Sequence, residues 1–141
     1  MTQSKIISAR RLSMIGALAI VASTVINIII SLIARSWLHT SPTFAPLGIG
    51  PIIFWSVVCG IGATIVFGQV ARHAQQPVLT YVVIAALVYL CTFIPDGLLI
   101  SGDLPFKGAT FISVITLMAM HAAEAIIMII TFISLGFRKK I

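Results

Sequence analysis

The sequence predicts an all-α integral membrane protein: a polytopic four-helix bundle, up-down-up-down, with both termini cytoplasmic. Three observations carry this. The 141 residues include only 9 Lys+Arg and 3 Asp+Glu, whereas about 25% of a soluble domain is charged. Sixty per cent of the chain is hydrophobic, and the mean hydropathy is +1.17. The apolar residues collect into four long runs, each near the about 20 residues a helix needs to cross a bilayer. So few polar groups cannot clothe a soluble fold, and a disordered chain would need far more of them. The length fits one transmembrane domain spanning residues 1–141.

The runs cover residues 12–34, 52–71, 78–100 and 109–137. Each is expected to be helical, because lipid offers no water to satisfy backbone N–H and C=O groups. They do not alternate as barrel strands would. Pro42, Pro46, Gly48, Gly50 and Pro51 punctuate the first connection, Pro77 the second, and Gly102, Pro105 and Gly108 the third. The first run is 23 residues long, beyond the about 7–15 of a signal-peptide core, so it reads as a retained span.

Orientation follows from the basic residues. With the N-terminus inside, Lys5, Arg10, Arg11, Arg72, Arg138, Lys139 and Lys140 are cytoplasmic, and only Arg35 and Lys107 lie outside. That is the positive-inside pattern, expected here for a bacterial cytoplasmic membrane. Trp37 and Trp55 flank the outer loop, where interfacial aromatics gather. The net charge of +6 does not indicate nucleic-acid binding, since the basic residues form no stripe interleaved with aromatics. The bilayer itself is the expected partner, with a homo-oligomer or a larger membrane complex as further partners.

Hydrophobicity does not drive helices together inside lipid; small and polar residues do. Ser56, Gly60, Thr64 and Gly68 recur at four-residue spacing on the second run. They form a helix-packing ridge, open either to a neighbour in the same bundle or to a second copy. Gly16, Ser23, Asn27 and Ser31 share a face of the first run. Tyr81, Ala85, Tyr89, Thr92 and Asp96 share one on the third, and Thr110, Ser113, Leu117, His121, Glu124, Met128 and Thr131 one on the fourth. Cys59 and Cys91 lie in apolar runs and read as small buried hydrophobes.

Intramembrane ionisable groups are functional-site hypotheses by default, because placing one in the bilayer centre costs about 2.5–3.5 kcal/mol on insertion scales. His121 and Glu124 are three residues apart on one helix and so share a face. A carboxyl beside an imidazole can pass one proton between its members, the chemical basis of a relay. Asp96 follows Pro95, which removes a helical N–H and crowds the preceding turn. A kink or break is expected there, of the kind that forms transporter sites. The alternative is an interfacial Asp96 that caps a re-formed turn and is partly wet. Asn27 needs partners in a dry setting. The expected cluster is therefore Asn27, Asp96, His121 and Glu124, supported by Tyr89, Thr92 and Pro95.

The sequence names no cofactor. A zinc site needs about three or four protein ligands, and Asp96, His121 and Glu124 show no zinc spacing beyond one i, i+3 pair. His121 is the single mid-span histidine, because His39 and His73 fall in loops. A bis-His haem within one chain is thus disfavoured, while a single-ligand pigment or a site shared across subunits stays open. Nucleophile elbows, phosphate loops and dinucleotide fingerprints are absent.

Phe93-Ile94-Pro95-Asp96 at the end of the third run, Gly108-Ala109-Thr110 opening the fourth, and Met120-His121 within it form a recognisable set. Together with Phe44, Pro46 and Leu47 in the first loop, they resemble an uncharacterised family of small bacterial four-span membrane proteins, a domain of unknown function. The resemblance covers most of the chain. It implies the four-span layout and singles out Asp96 and His121; it supplies no reaction, substrate or cofactor.

The leading expectation is a non-enzymatic protein that moves protons or a small solute, or serves as an accessory subunit, through the Asp/His/Glu cluster. An enzyme or redox protein acting on a lipid-soluble substrate such as a quinone or isoprenoid is the second. A purely structural scaffold is the third.

Overall fold

The computed structural model describes residues 7–104 and 106–137; Lys5, Pro105, Arg138, Lys139 and Lys140 lie outside them. The described residues form four long α-helices and no strand: α1 (Ala9–Trp37), α2 (Ile49–His73), α3 (Pro77–Ser101) and α4 (Phe111–Gly136). All four are long and apolar enough to cross a membrane. At about 1.5 Å per residue they measure about 38–44 Å and overrun the hydrocarbon core, so their ends reach the headgroups.

The ends of the helices follow local chemistry. Ser8 caps α1 by accepting from the Arg11 N–H at 3.4 Å, and Thr110 caps α4 by accepting from the Ser113 N–H at 3.2 Å. Helix α4 therefore starts at Phe111 rather than at Ala109, because Gly108 is held at φ +74°, outside helical space. Conversely α2 begins at Ile49 and takes Gly50 and Pro51 into its first turn, where no N–H partner is required. Helix α3 starts on Pro77 for the same reason and ends at Gly102, whose φ of +85° gives a left-handed stop.

Of the kink or break expected at Pro95, the break does not occur: α3 runs through it as one helix to Ser101.

The helices pack in ring order. α1 lies against α2 and most extensively against α4, and α3 lies mainly against α4. The antiparallel sense is fixed by contacts between opposite termini. Arg11 near the start of α1 donates from Nη2 to the Leu135 carbonyl near the end of α4 at 2.7 Å, satisfying a carbonyl that has no partner within its own helix.

The small-residue ridge of α2 meets α1. A Cβ added at Gly60 would lie 2.2 Å from Ile20 Cγ1 and one at Gly68 2.7 Å from Leu12 Cδ2, while a Cβ at Gly16 of α1 would lie 2.4 Å from Thr64 Oγ1. Within the bundle the ridge is thus occupied by α1, so a second copy would have to use another surface. The outward faces carry long aliphatic chains, among them Leu18, Val25, Ile29, Ile61, Ile65 and Ile130, as lipid contact requires. Cys59 and Cys91 are also exposed there, as free thiols, rather than buried. Cys59 sits one residue, or about 100°, away from the buried Gly60.

Two apolar cores fill the bundle. The one near the chain termini holds Phe67, Tyr81, Met128 and Phe132, with ring centroids 4.8–5.7 Å apart among its three aromatics. The other, at the loop end, holds Phe44, Leu47, Ile52, Leu99, Val114 and Met120. Its first two members come from the α1–α2 connection, which folds back over the bundle as a single 3-10 turn, Ala45–Leu47.

Candidate functional site

Between the two cores lies a polar layer built on α4. His121 and Glu124 stand one turn apart there, and each meets a different helix.

Glu124 faces α1. Asn27, 3% exposed, donates from Nδ2 to Glu124 Oε2 at 3.3 Å and to Ser56 Oγ at 3.4 Å. One amide therefore links α1, α2 and α4. Asn27 reaches this position because it continues the row Ala19, Ser23, Asn27 and Ser31 on the buried face of α1, where small neighbours bring the helices close. Both contacts are long for hydrogen bonds. Asn27 Oδ1 and Glu124 Oε1 are buried without a hydrogen-bond partner among the described residues.

His121 faces α3. Its Nε2 lies 3.8 Å from Asp96 Oδ2, and the side chains are 32% and 3% exposed respectively. Helix α3 buries few side chains: Tyr81, Asp96 and Leu99. Asp96 is buried, with His121 of α4 beside it, so a partly wet Asp96 does not describe this fold. The separation is ion-pair range and somewhat beyond a hydrogen bond, and Asp96 Oδ2 too is buried without a hydrogen-bond partner.

The four residues expected to cluster thus fall into two pairs, Asn27–Glu124 and Asp96–His121, carried on adjacent turns of α4. The expected supporters do other work. Thr92 donates its hydroxyl to the Tyr89 carbonyl of its own helix at 2.6 Å. The Tyr89 ring packs edge-on against Phe93 at 4.9 Å, and Pro95 is exposed. Ser56 serves both the α2 ridge and the Asn27 link, a role that small-residue spacing alone did not assign.

The cover at the loop end is the feature sequence reasoning missed. Phe44 and Leu47 are fully buried. The Leu47 carbonyl accepts from Ser31 Oγ at 2.7 Å and from Arg35 Nη2 at 2.9 Å, so α1 ties the turn down at one point. Ser41 and Thr43 hydroxyls, 2.8 Å apart, press against Gly108 of the α3–α4 loop, where an added Cβ would lie 2.5 Å from each oxygen. The available signal was two large apolar residues inside a Pro- and Gly-rich loop. Leu99 and Met120 of this core flank Asp96 and His121 in sequence, so the cover sits directly on the loop side of that pair.

Among the described residues, no group of three or more His, Cys, Asp or Glu side chains is placed to hold a metal ion. Two carboxyls and an imidazole thus stand in one layer, with Glu124 Oε1 unbonded and Asp96 Oδ2 beyond hydrogen-bond range of His121.

Removing Asn27 should expose its linking role. Asn27→Leu is expected to destabilise the bundle by about 1–2 kcal/mol, because it strands a buried carboxyl oxygen. Adding Glu124→Met should restore most of that loss. Denaturant unfolding of both variants in detergent micelles checks the pair; additive losses would mean that the two residues do not interact.

No curated protein and no solved structure matches the chain. A family model does match it, over residues 7–135, which include both pairs, the α2 ridge and the loop cover. The chain belongs to that family, described as a family of unknown function (DUF6069).

Proposed function

We propose that this four-helix membrane protein binds and passes protons within the bilayer, moving them alone, with a small solute, or as a subunit of a larger membrane complex. The relay residues are Asp96, His121 and Glu124, with Asn27 positioning Glu124. One observation supports this above the others: α4 presents His121 and Glu124 on adjacent turns to partners on two other helices, Glu124 Oε1 is buried without a hydrogen bond, and Asp96 Oδ2 meets His121 only beyond hydrogen-bond range. A layer serving stability alone would be expected to satisfy those oxygens, since each unpaired polar group in a dry interior costs free energy. On this reading the bundle sits in a bacterial cytoplasmic membrane with both termini inside, as the distribution of basic residues favours.

Purified protein in liposomes containing a trapped pH-sensitive dye, driven by a potassium diffusion potential, tests the proposal. Wild type should acidify or alkalinise the lumen faster than protein-free liposomes. Asp96→Asn and Glu124→Gln, which keep shape and remove a proton site, should return the rate to the protein-free level. Wild-type flux no faster than that level, or unchanged flux in both variants, would sink the relay.

A further inference from the structure

Access to the polar layer narrows what can reach it. Along the bundle axis, both approaches are filled. Phe67, Tyr81, Met128 and Phe132 close the terminal side, and Phe44, Leu47, Leu99 and Met120 close the loop side. Sideways the layer is open at His121, whose side chain is 32% exposed. At about 1.5 Å per residue, His121 lies about 15 Å from the start of α4 and about 22 Å from its end. That exposed surface therefore faces hydrocarbon, where a bare imidazole edge is costly.

We propose that His121 is a docking point for a lipid-soluble, hydrogen-bonding ring of the quinone or quinol type, entering sideways from the bilayer. This rests on the reading of Asp96–His121 as a proton-exchanging pair and names the class of molecule it serves. Nε2 of His121 is turned to Asp96, leaving Nδ1 as the ring edge for a ligand. A quinone carbonyl can accept from the imidazole there, and a quinol hydroxyl can donate to it. Asp96 behind the ring orients the imidazole and sets which tautomer faces the ligand, whose oxidation state does not change on docking. Ala122 and Ala125 beside His121 are half-buried and carry only a methyl group each.

A second copy of the chain fits this surface less well. Close helix contacts in membranes rest on small-residue stripes, and the ridge of α2 is already taken by α1. The exposed faces of α3 and α4 mix small residues, Ala86, Gly97 and Ala119, with long aliphatic chains such as Leu87, Leu90, Ile94, Ile126 and Ile130, and those small residues form no four-residue ridge like that of α2. Such a surface suits acyl and isoprenoid tails.

The full chain in phosphatidylcholine nanodiscs, titrated with decylubiquinone, tests the proposal through the thermal unfolding midpoint. Wild type should show a saturable rise. His121→Phe should lose it, and Asp96→Asn should bind about tenfold more weakly, a loss of about 1.4 kcal/mol. Should His121→Phe fail to fold, a photoactivatable quinone cross-linked to wild type gives the answer directly, with label expected in the α3 and α4 peptides around His121. Label confined to other peptides, an equal shift with decylbenzene, or unchanged binding in His121→Phe would overturn the proposal. So would a dimer in the nanodisc, cross-linked through Ala122→Cys and insensitive to the quinone. The two readings fail separately: flux abolished by Asp96→Asn without quinone binding removes only the docking site, and quinone binding without flux removes only the relay.

Discussion

Phe44→Ala is expected to lower stability by about 3–5 kcal/mol, the range for truncating a buried Phe. A loop residue would ordinarily tolerate such a change. Here Phe44 is fully buried with Leu47, Ile52, Leu99, Val114 and Met120, and truncation leaves a void that α-helical neighbours can close only in part. The effect should extend beyond stability. The turn containing Leu47 covers the loop side of the Asp96–His121 pair, so loosening it should admit water and raise proton leak in liposomes. Phe111→Ala is the control. That side chain is 68% exposed, and its removal should change neither unfolding nor leak. Equal losses in the two variants would show that Phe44 is not part of a core.

Gly60→Val is expected to cost about 3 kcal/mol, the upper part of the range for overpacking a filled interior. A Cβ at position 60 meets Ile20 Cγ1 at 2.2 Å, Ile20 Cδ1 at 3.0 Å and Met128 Cε at 3.1 Å. Ile20 is β-branched and stiff at χ1, so it cannot simply swing aside. Helix α1 must move away from α2, which also pulls Asn27 from Ser56 four residues along. Ile20→Ala introduced with Gly60→Val should recover part of the loss. Gly62→Ala, two residues away, provides the contrast. Nothing lies within 4 Å of its added Cβ, and exchanging Gly for Ala in an exposed helix interior favours the helix by about 1 kcal/mol. Unfolding of the variants in one detergent compares them directly, and a Gly60→Val protein as stable as Gly62→Ala would refute the close α1–α2 contact.

The spans were legible because they follow from composition and periodicity. Runs of apolar residues must be helical in lipid, and Gly102 punctuates the third connection. The site was legible in part. Charge scarcity points to Asp96, Glu124 and His121, and spacing places the last two on one helix face. Spacing could not say that the pair would divide, His121 turning to α3 and Glu124 to α1. That depends on where the neighbouring helices sit around α4, which is set by close packing at Gly16, Gly60 and Gly68. Nor could it say that Thr92 would bond its own helix, since the Tyr89 carbonyl is always within reach of that hydroxyl.

By itself, then, the sequence determined that this is a four-span helical membrane chain and which few ionisable groups it carries into the span. Both are properties of residues read singly or along one helix. Only the tertiary structure decided that Asp96 is enclosed, that the His121 side chain stays 32% exposed, and that the first loop closes over them. Burial of that kind depends on contacts between residues distant in sequence: Ser31 and Arg35 reach Leu47, Phe44 joins Val114 in one core, and His121 of α4 stands beside Asp96.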